Sequence, residues 1–224
     1  MSVRRALSVA LVVGLALALA PRAAEAEGEP ECEAWDVDYV TTGRLSIRDT
    51  TMGAGDGDHV VGPGTLTLRF DGPAGPGPGP ARMLAYRMPE KIVVDAKAVF
   101  FSTRVVSETL GVAGPAACGV ATGTWAGNRL AWGTPARGYR SDGTITCEGS
   151  MCGKMGAPPK GRSEYKEGPR DLPLAPFVFA ADRRSFTMGS VVVSKSESPK
   201  QTTSMQLAGR ETKRTCVTTK PCRP

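Results

Sequence analysis

Side chains that alternate with a period of two, glycine and proline turns at close spacing, and an even set of six cysteines together predict an all-β fold. The expected architecture is an antiparallel β-sandwich or distorted β-barrel, disulfide-stapled, with long Gly/Pro-rich loops. Each element follows from the local pattern.

Trp35, Val37 and Tyr39 alternate with Asp36 and Asp38, and Leu45 and Ile47 with Arg44, Ser46 and Arg48. Leu66, Leu68 and Phe70 alternate with Thr65, Thr67 and Arg69 in the same way, as half-buried strands do. Further strands are expected at 83–88, 92–94, 98–106, 120–125, 129–132, 143–147, 175–180, 185–194 and 202–210. No stretch carries a helical stripe.

The turns agree with these strands. Gly127-Asn128 separates Thr124-Trp125 from Leu130-Ala131-Trp132 and tolerates the positive φ of a tight hairpin. Asp182-Arg183 and Ser198-Pro199-Lys200 punctuate the last third, which reads as a meander. Two longer gaps, about 71–81 and 153–173, read as flexible loops. The first runs Asp71-Gly72-Pro73-Ala74-Gly75-Pro76-Gly77-Pro78-Gly79-Pro80 and offers no side chain to anchor it in a core. The second carries Pro158, Pro159, Pro169 and Pro173 among five basic residues, and Tyr165 there is a candidate to stack on a sugar or base.

The chain opens with Arg4 and Arg5, an apolar run from Ala6 to Ala20, and Ala24-Glu25-Ala26, the pattern of a signal peptide over 1–26. At 15 residues the run falls short of the roughly 20 a spanning helix requires, so no transmembrane segment is expected. The remainder, 27–224, is expected to be a single secreted β domain, periplasmic or extracellular. Removing Arg4, Arg5, Arg22 and Glu25 with the leader leaves 25 basic and 21 acidic side chains. The charge is uneven: residues 27–153 hold 11 basic against 15 acidic, and residues 154–224 hold 14 against 6. A solvated face accounts for such a run, and no nucleic-acid signature accompanies it. The partner is unknown; an envelope polymer or protein is the expected class.

Export makes disulfides the natural state of Cys32, Cys118, Cys147, Cys152, Cys216 and Cys222. Six cysteines allow 15 connectivities. Loop lengths favour Cys147–Cys152, Cys216–Cys222 and Cys32–Cys118, with a Cys32-to-tail bridge that staples both termini as the alternative. Cys147, Met151, Cys152 and Met155 also make a soft-donor set for Cu(I), but a disulfide turn suits the spacing as well. Zinc lacks ligands, because His59 is the only histidine. Asp56-Gly57-Asp58-His59 lacks the third ligand and terminal Glu of a calcium loop and reads as a hairpin loop. No metal or cofactor is expected.

No nucleophile elbow or triad is present: Gly149-Ser150-Met151-Cys152-Gly153 has the wrong spacing. Paired carboxylates would have to be assembled in space, and Asp95, Glu108, Asp142 and Glu148 are conceivable members. Gly123-Thr124-Trp125 resembles the Gly-x-Trp element of lipocalin- and avidin-type ligand-holding barrels, where it lies on the first strand. Here it sits mid-chain, so no residue role is carried over. Trp125, Trp132 and Tyr139 are candidate linings of a pocket for an apolar or carbohydrate ligand, although core packing is the commoner fate of tryptophan. The expected role is a non-catalytic binding or structural module of the cell envelope. The alternatives are a carboxylate-dependent hydrolase of envelope or extracellular polymers and a small-ligand carrier barrel.

Overall fold

The structure, a computed structural model, describes residues 32–49, 57–98, 101–154, 157–197 and 200–218. The leader, Asp56, Met155, Ser198, Pro199 and Cys222 lie outside the described residues. The described elements are all strands: β1 (Ala34–Asp49), β2 (Gly57–Asp71), β3 (Gly79–Ala98), β4 (Phe101–Ala113), β5 (Ala121–Ala126), β6 (Arg129–Trp132), β7 (Ala136–Gly149), β8 (Gly161–Leu172), β9 (Phe177–Phe179), β10 (Ser185–Glu197) and β11 (Lys200–Val217). They form one antiparallel sheet in the order β2-β1-β11-β10-β9-β6-β5-β3-β4-β7-β8, with β2 also paired to β3.

That additional pairing makes the sheet partly ring-like without closing it into a barrel. The cause lies in β3, which is long enough to change partners along its length. Gly79–Met83 pairs with β5, Ala81–Arg87 with β2, and Tyr86–Ala98 with β4. Eight strands therefore close a ring at one end. Beyond it the sheet forks into two facing layers, one of β2, β1, β11 and β10 and the other of β3, β4, β7 and β8.

Inside the ring the inward positions of the alternating strands make an apolar core. Val37, Tyr39, Leu66, Leu68, Phe70, Leu130 and Phe177 are all at most 1% exposed. Phe177 stacks on Phe186 with centroids 4.4 Å apart, while Phe70 meets Trp125 and Tyr39 meets Phe186 edge-on. Truncating a ring such as Phe177 to alanine would cost about 3–5 kcal/mol. The Tyr39 phenol has no hydrogen-bond partner among the described residues, and burial drives its pKa up.

The loop expected over 71–81 is a loop, but a packed one, and the loop expected over 153–173 is corrected in part. The segment after β2 is packed, with Gly75, Pro76 and Gly77 buried. Its anchors are backbone carbonyls: Trp35 Nε1 donates to Pro73 O at 2.7 Å and Arg183 Nη1 to Pro76 O at 2.9 Å. Side chains from elsewhere reach in, so a search for anchoring side chains within the segment misses them. Within the span 153–173, Gly161–Leu172 is β8, paired with β7 from Cys147↔Gly161 to Ala136↔Leu172. Its alternation is hydroxyl, aromatic and acid rather than aliphatic, because it lines a polar space.

The disulfide preference is corrected in part: the expected Cys147–Cys152 bridge forms, and the alternative that ties Cys32 to the tail replaces Cys32–Cys118. Cys32 bonds Cys216, 184 residues away, and Cys147 bonds Cys152. Cys118 is also disulfide-bonded, so neither Cys32–Cys118 nor Cys216–Cys222 forms. Strand register explains this: Trp35 pairs with Cys216 across β1 and β11, bringing the start of one strand to the end of the other. The bonds are consistent with an oxidising, exported compartment. No helix among the described residues is long and apolar enough to cross a membrane.

Candidate functional site

Where the ring opens into the fork, the aliphatic and aromatic filling gives way to polar groups. Tyr86 stands at the boundary, 2% exposed, its phenol directed to Met205 Sδ at 3.8 Å and its ring 6.2 Å from that of Tyr139. Past it lies a cavity of about 230 Å³ between the two layers. The β1/β10/β11 wall supplies Leu45, Ile47, Val193 and Met205, with Gln201 and Thr203 toward the edge. The opposite wall supplies Glu90 from β3, Ser107 and Thr109 from β4, Tyr139 and Ser141 from β7, and Tyr165, Glu167 and Arg170 from β8.

Strand phase puts these side chains there. On β3, Glu90 continues the inward set Tyr86 and Met88, the latter fully buried. On β8, Ser163, Tyr165 and Glu167 share the inward phase, while Arg162, Glu164 and Lys166 are exposed. Gly111 makes room for Tyr139, since a Cβ there would lie 2.5 Å from the Tyr139 Oη.

The polar wall is internally connected. Tyr139 Oη donates to Glu90 Oε1 at 3.2 Å, and Tyr165 Oη donates to Glu167 Oε2 at 2.8 Å. Arg170 Nε lies 3.1 Å from Glu167 Oε1 without hydrogen-bond alignment, so that contact is one of charge. Arg170 Nη1 donates to Val193 O at 2.7 Å, and its guanidinium sits 5.2 Å from the Tyr139 ring centroid. This arginine bridges β8 to the far half of β10, which no strand pairing joins among the described residues. Burial pushes the Glu90 carboxyl above its ordinary value, against the lowering effects of the Tyr139 hydrogen bond and the Arg170 charge. Burial also raises the Tyr139 and Tyr165 phenols, so both remain neutral donors at ordinary pH.

Of the four aromatic residues singled out in the sequence, Tyr139 and Tyr165 come together in this cavity. Trp125 and Trp132 do not. Trp125 packs in the ring core against Phe70 and Phe179 and donates its indole N–H to Gly127 O, while Trp132 sits edge-on to Phe177. Glu90, Glu167 and Arg170 were missed. The phase of Tyr86, Met88 and Glu90 marks the first; the other two required recognising β8.

The conceivable acids lie elsewhere. Asp95 and Glu108 are exposed beside Arg104 and Lys91, and Asp142 and Glu148 are also exposed. Asp58 accepts from Ser46 Oγ at 2.6 Å and Arg48 Nη2 at 2.9 Å, and these bonds hold its carboxyl below the usual range. His59 lies on β2, opposite Leu45. Cys147 and Cys152 are spent on each other, and no group of three or more His, Cys, Asp or Glu suited to a metal occurs among the described residues. The basic residues of the last third serve contacts too: Arg214 lies over Trp35 and Arg183 over Trp125.

Comparison of the chain with protein-family models, with curated proteins and with solved structures finds no match.

Proposed function

We propose that this chain is a non-catalytic binding module of the periplasm or extracellular space, and that its ligand is a small molecule seated in the forked cavity. The observation that carries the reading is the convergence of Glu90, Tyr139, Tyr165, Glu167 and Arg170 on one wall of a partly open cavity, where the ring below is filled by apolar side chains. Ordering five polar side chains inside a fold costs desolvation that a purely structural module avoids by packing aliphatic residues. Concave sites with an apolar wall and a few convergent polar groups are where small ligands bind. A volume of about 230 Å³ suits a compact molecule rather than a polymer threading through.

A second reading rests on the two carboxylates. A hydrolase needs one acid kept protonated, and burial raises Glu90 in that direction, while the second acid, Glu167, sits 3.1 Å from Arg170. The small volume and the engagement of Glu167 by both Tyr165 and Arg170 favour binding over turnover. Titration of isotope-labelled protein with a mixture of small cations, anions and neutral alcohols, followed by two-dimensional NMR, tests the reading. Shifts concentrated on the cavity-facing residues of β3, β4, β7 and β8 are expected. Shifts scattered over the surface, or none, would overturn it. Hydrolysis of an extracellular polymer that disappears in both Glu90→Gln and Glu167→Gln would move the second reading ahead.

A further inference from the structure

We infer that the forked cavity takes a small organic cation, an ammonium group on a short apolar body, with Glu90 as its counter-ion. This rests on the binding reading above and names its ligand class.

The charge balance of the cavity is the starting point. Glu90 and Glu167 bring two carboxylates and Arg170 brings one guanidinium. Arg170 faces Glu167, donates to Val193 O and lies over the Tyr139 ring, so its charge is directed to those partners. No ion pair reaches Glu90 among the described residues; its one side-chain bond is from Tyr139 Oη at 3.2 Å. A carboxylate accepts up to about four hydrogen bonds, so most of its capacity faces the cavity unfilled. Thr109, only 8% exposed, lines the same space and has no side-chain hydrogen bond among the described residues. Its hydroxyl and the free Glu90 oxygen are acceptors for the N–H groups of an ammonium, which has only donors.

The two walls differ in kind, and that sets the rest of the ligand. Facing Glu90 across the cavity, Leu45, Ile47, Val193 and Met205 form an apolar surface. A free ammonium or a metal ion leaves that surface unused, whereas an alkyl or aryl ammonium covers it. A neutral polyol satisfies the hydroxyls but leaves the Glu90 charge uncompensated.

Proton competition provides an independent readout. The titratable and charged groups facing Glu90 in the cavity are Tyr86 on its own strand, Tyr139 on β7, and Tyr165, Glu167 and Arg170 on β8; Glu108, paired with Lys91, and Asp142 lie on the outer face of the same layer. The opposite wall lines the cavity with no titratable group. Both phenols that reach the wall stay neutral, so a proton that competes with the ligand as pH falls is taken by a carboxylate, and Glu90→Gln isolates the share that belongs to Glu90.

Benzylammonium, benzyl alcohol and methyl glucoside are titrated into the disulfide-bonded protein by calorimetry at pH 7.5 and pH 4.5, with NMR mapping of each bound state. Benzylammonium is expected to bind in the cavity at pH 7.5, at least tenfold more weakly at pH 4.5, and at least tenfold more weakly to Glu90→Gln. Glu108→Gln, on the exposed side, is expected to bind as the unsubstituted protein does. Unfolding temperatures confirm that both variants fold. A neutral probe that occupies the cavity as well as benzylammonium does would overturn the cation assignment and leave the binding reading standing. Absence of cavity shifts for all three probes would overturn both.

Discussion

The two described disulfides differ most in the chain they enclose, and that difference predicts unequal effects on stability. Cys32 and Cys216 are separated by 184 residues, Cys147 and Cys152 by 5. Chain-entropy arithmetic assigns about 5 kcal/mol to the long closure and about 2 kcal/mol to the short one. The larger figure is a ceiling, because Cys118 is itself disulfide-bonded and cross-links the unfolded chain further. Burial works against the expected order: Cys147 is fully buried, so its removal also loses packing of about 1 kcal/mol. Cys32→Ala with Cys216→Ala should therefore cost about 2 kcal/mol more than Cys147→Ala with Cys152→Ala. Urea unfolding under non-reducing conditions, with slopes compared to expose changes in the unfolded state, reads the difference. Equal losses, or a larger loss from the short bridge, would refute the view that stapling β1 to β11 acts by restricting the unfolded chain.

Three further outcomes follow from particular contacts. Glu90 is raised in the folded state, so the stability it contributes is full below the carboxyl's unfolded value and is lost as pH rises through the folded value; Glu90→Gln should gain stability relative to the unsubstituted protein between pH 4 and pH 7, and a pH-independent difference in thermal unfolding would contradict this. Gly111→Ala should push Tyr139 off Glu90 and cost about 1–3 kcal/mol, whereas Gly133→Ala, whose nearest neighbour would be Thr122 O at 3.7 Å, should change little. Chemical denaturation of the two variants checks the contrast. Arg69 is 7% exposed and holds Asp36 through bonds of 2.6 and 2.7 Å. Arg69→Met should therefore cost about 3 kcal/mol, and adding Asp36→Asn should recover part of it, as a double-mutant cycle would show.

The strands were legible because one face of each is apolar. Leu66, Leu68 and Phe70, or Phe177 and Phe179, declare their phase without help from tertiary structure. β8 was not, since Ser163, Tyr165 and Glu167 alternate with Arg162, Glu164 and Lys166, and a period between two polar sets carries no hydropathy signal. The polar site was hidden for the same reason that it is a site. Tyr139 and Tyr165 stood out as aromatic residues, but Glu167 and Arg170 lay in a segment read as a loop. The packing of Gly75-Pro76-Gly77 was also out of reach, because it depends on Trp35 and Arg183, which are distant in sequence and donate to backbone carbonyls. Loop length identified Cys147–Cys152, whereas the partner of Cys32 followed strand register, and register between the first and last strands is a property of the assembled sheet.

The most direct test of the account is a crystal structure of the disulfide-bonded protein soaked in a mixture of small ammonium, alcohol and carboxylate fragments. The account predicts a fragment between the Glu90–Tyr139–Tyr165 wall and the Leu45–Ile47–Met205 wall, within hydrogen-bonding distance of Glu90. Fragments bound only on the outer faces of the sheet, with the cavity holding water alone, would contradict it.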